Sequence, residues 1–258
     1  MIEPEFPVSA HVRAPERLVL KGGRWTRIAI PVRYGLFEHP MAGTCLIDTG
    51  YSERVTRGSR SLPLKLYASI LRPALTAAAL PDRVRSASTI LVSHLHADHV
   101  SALRDYPQAR ILADGTAVSH FLSAGWLGRV HKGCFAELLP DDLMDRIEPF
   151  DAFPEVEAPL GLGPARDIFS DGSVLAVPLP GHMRGHTGFL FAARSRPLLY
   201  AADANWLRKA ILARRSPGYP ARIILDDPAA AEETDARIRR FVDADGELVL
   251  CHDPEPAA

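Results

Sequence analysis

The residues best suited to chemistry lie in one short stretch, residues 90–100, with the sequence ILVSHLHADHV. This stretch places His94, His96, Asp98 and His99 within six positions. Ionisable groups packed this closely need partners if they are buried. Neutral imidazole and carboxylate are the natural ligands of zinc and related divalent ions. The spacing therefore predicts a metal site.

Three further candidate ligands, His182, Asp203 and His252, each follow an apolar, strand-like run in the second half of the chain. His182 follows the run VPLPG, in which Gly181 gives the backbone freedom to turn. Taken singly, residues in such positions are more often caps or turn formers than ligands. Together with the first cluster they make a complete coordination set.

The elements that must position these ligands are predicted from apolar and β-branched runs. The predicted strands cover residues 25–34, 44–47, 88–93, 110–113, 174–177, 189–192, 198–201 and 247–250. The predicted helices cover residues 97–105, part of 114–135, and 229–244. Residues 137–165 are acidic and proline-rich and predict a long connection. Because the strands form two groups with helices attached to each, we expect a mixed α/β (α+β) fold.

Residues 55–80 combine basic side chains with apolar positions at helical spacing, among them Tyr67, Ile70, Leu71 and Leu75. This pattern predicts an amphipathic helix with a basic face. The helix could pack as an ordinary surface element or act as a lid over a substrate site. Its apolar side could equally serve a homodimer interface.

The composition is that of an ordinary globular protein, with 258 residues, 47% hydrophobic and 24% charged side chains, and a net charge of −1. No basic field is available to hold a nucleic acid. The sequence contains no apolar run of signal-peptide or membrane-spanning length, so we expect a cytoplasmic protein with no membrane insertion.

The three cysteines are widely spaced, which indicates reduced thiols and no disulfide framework. Cys251 adjoins His252, and without a second nearby thiol it is interpreted as a small core residue in preference to a metal ligand.

The motifs together resemble the metallo-β-lactamase fold superfamily of hydrolases. The matching segments, in chain order, are SHLHADH at 93–99, PGH at 180–182, AD at 202–203 and CH at 251–252. The resemblance implies a four-layer αββα sandwich forming a single domain over residues 1–258. Residues 55–80 would then be a helical, lid-like insertion.

The resemblance also implies a role for each ligand around two divalent ions, which would be zinc, with iron or manganese as alternatives. The implied ligands are His94, His96 and His182 for the first ion, Asp98, His99 and His252 for the second, and Asp203 as the bridge. Asp48, in the segment LIDTG, would support the ligands from behind. A simple turn-forming role for Asp48 stays open.

Within the superfamily the likeness is to the N-acyl-homoserine lactonase group, on the segments EHP at 38–40, PGHMRGH at 180–186 and CHD at 251–253. Those lactonases carry a tyrosine three residues after the bridging aspartate, where its hydroxyl polarises the substrate carbonyl. Here that position holds Trp206, which donates only through its indole N–H. His186 is interpreted as a structural or ligand-orienting residue.

Such a two-metal site holds a hydroxide at neutral pH that attacks a carbonyl or phosphoryl centre, while one ion takes the developing oxyanion. Asp98 or Asp203 could relay a proton to the leaving group, and Trp206 is a third catalytic candidate. We expect a hydrolase that opens a lactone or cleaves a related ester of a small apolar acyl substrate. A glyoxalase II-type thioesterase and a non-catalytic metal-binding or regulatory protein are the alternatives.

Overall fold

The computed structural model describes residues 2–219 and 221–254. The strands are β1 (Val8–Pro15), β2 (Arg27–Arg33), β3 (Gly35–His39), β4 (Gly43–Ile47), β5 (Ala74–Leu75), β6 (Thr89–Leu91), β7 (Arg110–Ala113), β8 (Ile147–Pro149), β9 (Glu155–Ala158), β10 (Gly163–Asp167), β11 (Val174–Pro178), β12 (Thr187–Phe191), β13 (Leu198–Tyr200) and β14 (Glu247–Val249). The helices are α1 (Glu16–Val19), α2 (Glu53–Thr56), α3 (Leu62–Leu71), α4 (Ala97–Val100), α5 (Gly115–Ser123), α6 (Trp126–His131), α7 (Leu143–Arg146), α8 (Arg208–Leu212) and α9 (Pro228–Asp243).

The chain divides into two compact units. The N-terminal unit comprises Glu3–Arg13 and Pro31–Pro149. Among the described residues, the C-terminal unit comprises Ile2, Ala14–Ile30 and those from Phe150 onward. A short three-stranded sheet has the order β2-β1-β5, and in it Ala10 is paired with Leu75.

The N-terminal unit is built on a five-stranded sheet in the order β3-β4-β6-β7-β8. Strands β4, β6, β7 and β8 are parallel, and β3 pairs antiparallel with β4. Parallel neighbours end at the same edge of a sheet, and side chains that follow such strands converge there. Asp48 directly follows β4, and the cluster that begins at His94 follows β6.

The C-terminal unit is built on a six-stranded sheet in the order β14-β13-β12-β11-β10-β9. Strands β11, β13 and β14 run in the same direction, because β12 pairs antiparallel with both β11 and β13 while β14 pairs parallel with β13. His182, Asp203 and His252 follow these three strands and so share one sheet edge. Helix α9 packs on this sheet through the fully buried Ile238 and Phe241.

The amphipathic segment forms a shorter helix than predicted. Helix α3 begins after Ser61, whose hydroxyl accepts from the Leu64 N–H, and ends where Arg72 takes a left-handed conformation. Its inward face is made by Leu64 and Ala68, whereas Ile70, predicted on the apolar face, is 69% exposed. Helix α3 therefore carries apolar residues on its outer side as well.

Other bounds also differ from the predictions. The predicted helix over 97–105 is helical only as α4, followed by a single 3-10 turn at Leu103–Asp105. The irregular connection predicted over 137–165 is wrong in part, since it contains β8, β9 and most of β10. Prolines argue against strands, but Pro149 is the last residue of β8, an edge strand of its sheet, where a missing N–H donor is tolerated. Among the described residues, no helix is long and apolar enough to cross a membrane.

Candidate metal centre

The loop after β6 brings two imidazoles of the predicted first-metal set together. His94 Nε2 lies 3.0 Å from His96 Nδ1, and both residues are buried. Ser93 Oγ lies 3.0 Å from His94 Nδ1 and donates its own hydrogen to Asp48. His94 Nδ1 must therefore donate to that hydroxyl oxygen, which places the Nε2 lone pair on the side facing His96.

Asp48 is the residue that organises this loop. Its Oδ1 accepts from the Ser93 N–H at 2.7 Å, and its Oδ2 lies 2.8 Å from His99 Nδ1. The side chain is fully buried, and the backbone adopts a φ of 59°. A carboxylate that accepts from one ring nitrogen fixes the tautomer and aims the other nitrogen at a metal. These contacts support the predicted ligand-supporting role over a turn-forming one.

Asp98 lies at the start of α4, with Oδ2 3.9 Å from His99 Nε2. The loop is fixed at this point because the Ala97 N–H donates to the Gly133 carbonyl at 3.1 Å. Asp98 and the ring nitrogen of His99 that points away from Asp48 thus face the same space. In the N-terminal unit all four predicted ligands lie in one group.

The C-terminal unit gathers its three predicted ligands around one oxygen atom. Asp203 Oδ2 lies 3.1 Å from His252 Nε2 and 3.6 Å from His182 Nε2, and all three residues are buried. The Asp203 carboxylate is thus approached by an imidazole from each of two chain segments, while its bridging role stays a prediction.

Two neighbours hold Asp203 in place. The Asp203 N–H donates to His186 Nε2 at 3.1 Å, and His186 Nδ1 donates to the Leu179 carbonyl at 3.0 Å. With both ring nitrogens in these bonds, His186 has the structural role that the sequence predicts. The Trp206 indole N–H donates to Asp203 Oδ2 at 3.3 Å, so Trp206 orients the carboxylate.

The turn that carries His182 depends on a glycine. Gly181 has a φ of 129°, and a Cβ there would lie 2.3 Å from the Ala231 backbone nitrogen in α9. The Asp227 N–H donates to the Gly181 carbonyl, and the Thr234 hydroxyl donates to the Pro180 carbonyl at 2.7 Å. The first turns of α9 therefore set the position of His182.

A pocket beside Asp203 contains a half-buried acid that sequence reasoning missed. Asp235 on α9 accepts from Asn205 Nδ2 at 2.7 Å, and Asn205 Oδ1 accepts from the Trp206 N–H at 2.8 Å. Burial raises the pKa of Asp235 to about 7, although the hydrogen bond from Asn205 opposes the rise. Nothing in the sequence marks Asp235, since it lies among other polar residues of a helix.

A second missed feature is a pair of phenols in the N-terminal unit. The hydroxyls of Tyr51 and Tyr67 lie 2.6 Å apart, with Tyr51 buried. Burial raises the pKa of Tyr67 well above its ordinary value, and the negative charge of Asp98 acts in the same direction. The Tyr67 hydroxyl therefore stays protonated beside the ligand group.

The chemistry of the two groups fits a divalent metal. Imidazole nitrogens and carboxylate oxygens are suitable ligands, and separations of 3.0 to 3.6 Å between them match neighbouring ligands around an ion bonded at about 2.0–2.1 Å. Cys251, predicted as a core residue, is fully buried; its sulfur and one ligand atom each of Asp203 and His252 all lie within 4.8 Å of one another. All three cysteines are free thiols.

Comparison with known proteins gives a consistent result. The family model described as the metallo-beta-lactamase superfamily matches residues 29–252. A Mycobacterium tuberculosis protein named "probable metallo-hydrolase" is 26% identical over 232 residues, covering 83% of this chain and 72% of the relative. An Azorhizobium caulinodans protein named N-acyl homoserine lactonase AttM is 25% identical over 248 residues, covering 88% and 83%.

The fold is shared with solved structures. One is a mutant of B. thuringiensis AiiA with N-decanoyl-L-homoserine bound at its active site, which matches with a TM-score of 0.71 and 18% identity. The match covers 97% of this chain and 93% of that one. The mixed helix-and-sheet fold predicted from the sequence is confirmed.

Proposed function

This chain belongs to the metallo-β-lactamase superfamily, and from that premise we propose that it is a metal-dependent hydrolase that opens a lactone or cleaves a related carboxylic ester. The observation that carries the proposal is the position of Asp203 Oδ2, which faces the Nε2 atoms of His252 and His182 at 3.1 and 3.6 Å. An oxygen shared between two imidazoles in this way suits a carboxylate that bridges two ions.

We infer that the predicted ligands hold two divalent ions, with zinc as the first choice and iron or manganese as alternatives. The ligand assignment is His94, His96 and His182 for one ion, Asp98, His99 and His252 for the other, and Asp203 between them. Support comes from the separations within each group and from the divalent-metal sites of the superfamily.

Ions bound there would supply hydroxide at neutral pH and a positive charge for the developing oxyanion. The protein supplies the rest. Asp48 orients His99, Trp206 and His186 hold Asp203, and Asp98 or Asp203 moves a proton to the departing alcohol oxygen. Such fixed positions matter because catalytic groups act only when they are held in the reacting geometry.

A lactone or ester is favoured over other substrates by two observations. Relatives with about a quarter of their residues identical to this chain are named N-acyl homoserine lactonases. Tyr67 and Phe135 also pack edge to face at 5.1 Å beside the loop of His96, so an aromatic wall adjoins the ligands. A wall of this kind suits a small substrate with an apolar acyl group.

Two measurements on purified protein test the proposal. Elemental analysis should find close to two divalent ions per chain, and a panel of lactones, aryl esters, thioesters, β-lactams and phosphodiesters should show preferential cleavage of lactones or esters. His96→Ala should lose both metal and activity, while His120→Ala, on the exposed face of α5, should keep both. One ion or none in carefully prepared protein, or a clear preference for phosphodiesters, would contradict the proposal.

A further inference from the structure

The hydroxyl of Tyr67 is placed beside the ligand loop by a chain of contacts within the N-terminal unit. The Tyr67 ring packs edge to face on Phe135, with ring centroids 5.1 Å apart. A Cβ built on Gly133, two residues earlier, would lie 3.9 Å from Tyr67 Cε2 and 3.8 Å from His96 Cδ2. Tyr67 Cε2 adjoins the carbon that carries the hydroxyl, so the phenol and His96 flank the same glycine.

The same segment is bonded directly to the ligand loop. The Gly133 carbonyl accepts from the Ala97 N–H at 3.1 Å, between the ligands His96 and Asp98. Gly133 has a φ of 70° and no side chain, so nothing from this residue fills the space between the phenol and the imidazole. Through Tyr67, helix α3 therefore packs on the segment that is bonded to the ligand loop.

The Tyr67 hydroxyl also has a hydrogen-bonding partner in Tyr51. Tyr51 is 1% exposed, and its hydroxyl lies 2.6 Å from that of Tyr67, which is only partly buried. When Tyr51 donates to the Tyr67 oxygen, the Tyr67 hydrogen points onward. A phenol that accepts one hydrogen bond becomes a better donor through its own hydrogen, because hydrogen bonds in series polarise one another.

The position where the lactonases carry a hydroxyl offers none here. Trp206 has only an indole N–H, and that N–H donates to Asp203 Oδ2 at 3.3 Å. Trp206 is therefore engaged in holding the carboxylate and has no second donor for a substrate. A hydroxyl that donates to the substrate would have to come from another part of the chain.

We propose that Tyr67 is a catalytic residue of this enzyme, donating its phenol hydrogen bond to the carbonyl oxygen of the lactone or ester. This inference rests on the proposed function. In the reaction, hydroxide oxygen bonds to the carbonyl carbon, the bond from that carbon to the alcohol oxygen breaks, and the alcohol oxygen receives a proton. Tyr67 keeps its proton throughout and strengthens its hydrogen bond as the carbonyl oxygen becomes negative.

Tyr67→Phe is the test, with Tyr106→Phe as the matched control. The Tyr106 hydroxyl donates to the Val84 carbonyl at 2.6 Å, so the control also removes one phenol hydrogen bond from the N-terminal unit. We expect Tyr67→Phe to lower kcat about 10- to 100-fold with little change in KM, since the lost bond strengthens only in the transition state. Metal content should stay unchanged, and the control should keep the kcat of the unmodified protein.

Comparing substrates separates this role from others. A donor to the carbonyl oxygen acts whatever the leaving group, so aryl and alkyl esters should lose kcat by the same factor. Tyr51→Phe, which keeps the Tyr67 hydroxyl but removes its partner, should cause a smaller loss on both. A loss of kcat confined to alkyl esters would overturn the proposed role of Tyr67, and so would an unchanged kcat with metal retained. Neither result would overturn the proposed function. Absence of any ester or lactone hydrolysis in the unmodified protein would instead overturn the proposed function.

Discussion

The two ligand groups are built in different ways, although each lies at the carboxyl edge of a sheet. The N-terminal group comes from one loop after β6, and four ligands share six positions of sequence. The C-terminal group comes from three separate strand ends, with His182, Asp203 and His252 spread over seventy positions. A loop can shape its own ligands, whereas ligands from three strands depend on the sheet and on the helix packed against it.

The supports differ in the same way. Asp48 orients two residues of the N-terminal loop, because its two oxygens contact both Ser93 and His99. Asp203 in the C-terminal group is held through its backbone by His186 and through its carboxylate by Trp206. Damage to the first group should therefore be local, and damage to the second should reach every ligand that shares the Asp203 oxygen.

The largest effect is expected from Asp203→Ala. If Asp203 bridges two ions, its removal should lower the metal content of both sites and reduce kcat/KM by at least about 1,000-fold. Elemental analysis and single-substrate kinetics measure the two effects. Asp167→Ala is the control, since Asp167 is another buried aspartate of the C-terminal unit, bonded to the Gly172 N–H. Full activity in Asp203→Ala would refute the bridging role.

Asp48→Asn should have an intermediate effect that falls mainly on one ion. The amide oxygen can still accept from the Ser93 N–H, but no carboxylate oxygen then faces His99 Nδ1 and the Ser93 hydroxyl. We expect affinity for the ion of His99 to fall about 10- to 100-fold and affinity for the ion of His94 to fall less. Titration of metal-free protein, followed by calorimetry, should show one strongly and one weakly affected site. Asp114→Asn, which alters the N-terminal cap of α5, serves as the control. Equal weakening of both sites would show that the two groups are not independent.

The smallest effect is expected from Asp235→Asn and concerns stability. Burial raises the pKa of Asp235 from 3.8 to about 7, so the folded protein favours the neutral carboxyl. This contribution is fully present below about pH 4 and is lost as the pH rises through 7. The free energy of unfolding of metal-free protein should therefore fall less between pH 5 and pH 8 in Asp235→Asn, by roughly 1–3 kcal/mol.

Denaturant titrations at the two pH values measure this difference. Asp243→Asn, an exposed position near the end of α9, should leave the pH dependence of unfolding unchanged. If Asp235→Asn and the unmodified protein lost the same stability over this range, Asp235 would not carry the effect. Either result also bears on the hydrogen bonds of Asn205, because its side chain is bonded to both Asp235 and the Trp206 N–H.

The sequence predicted those features that depend on contiguous residues or on a periodic pattern of apolar residues. The cluster at His94 could be found because its ligands are contiguous, and β7 has the predicted bounds because its apolar run is clearly delimited. The family and the mixed fold are confirmed. The ligand roles and the two-ion site stay predictions until metal content is measured.

What the sequence could not predict depends on contacts between distant segments. Tyr67 reaches the ligand loop through Phe135 and Gly133, more than sixty positions away. Asp235 is linked to Trp206 through Asn205. Glu155–Ala158 likewise forms a strand because it pairs with β10, although the surrounding segment is rich in proline. Such roles come from tertiary contacts that no local pattern contains.

The crowding between Gly181 and Ala231 ties the position of one predicted ligand to a helix that supplies no ligand itself. A Cβ on residue 181 would lie 2.3 Å from the Ala231 backbone nitrogen, so the turn and α9 pack with no room for a side chain between them. A shift of α9 would therefore move the turn that carries His182, and a substitution inside α9 could alter this ligand without touching it.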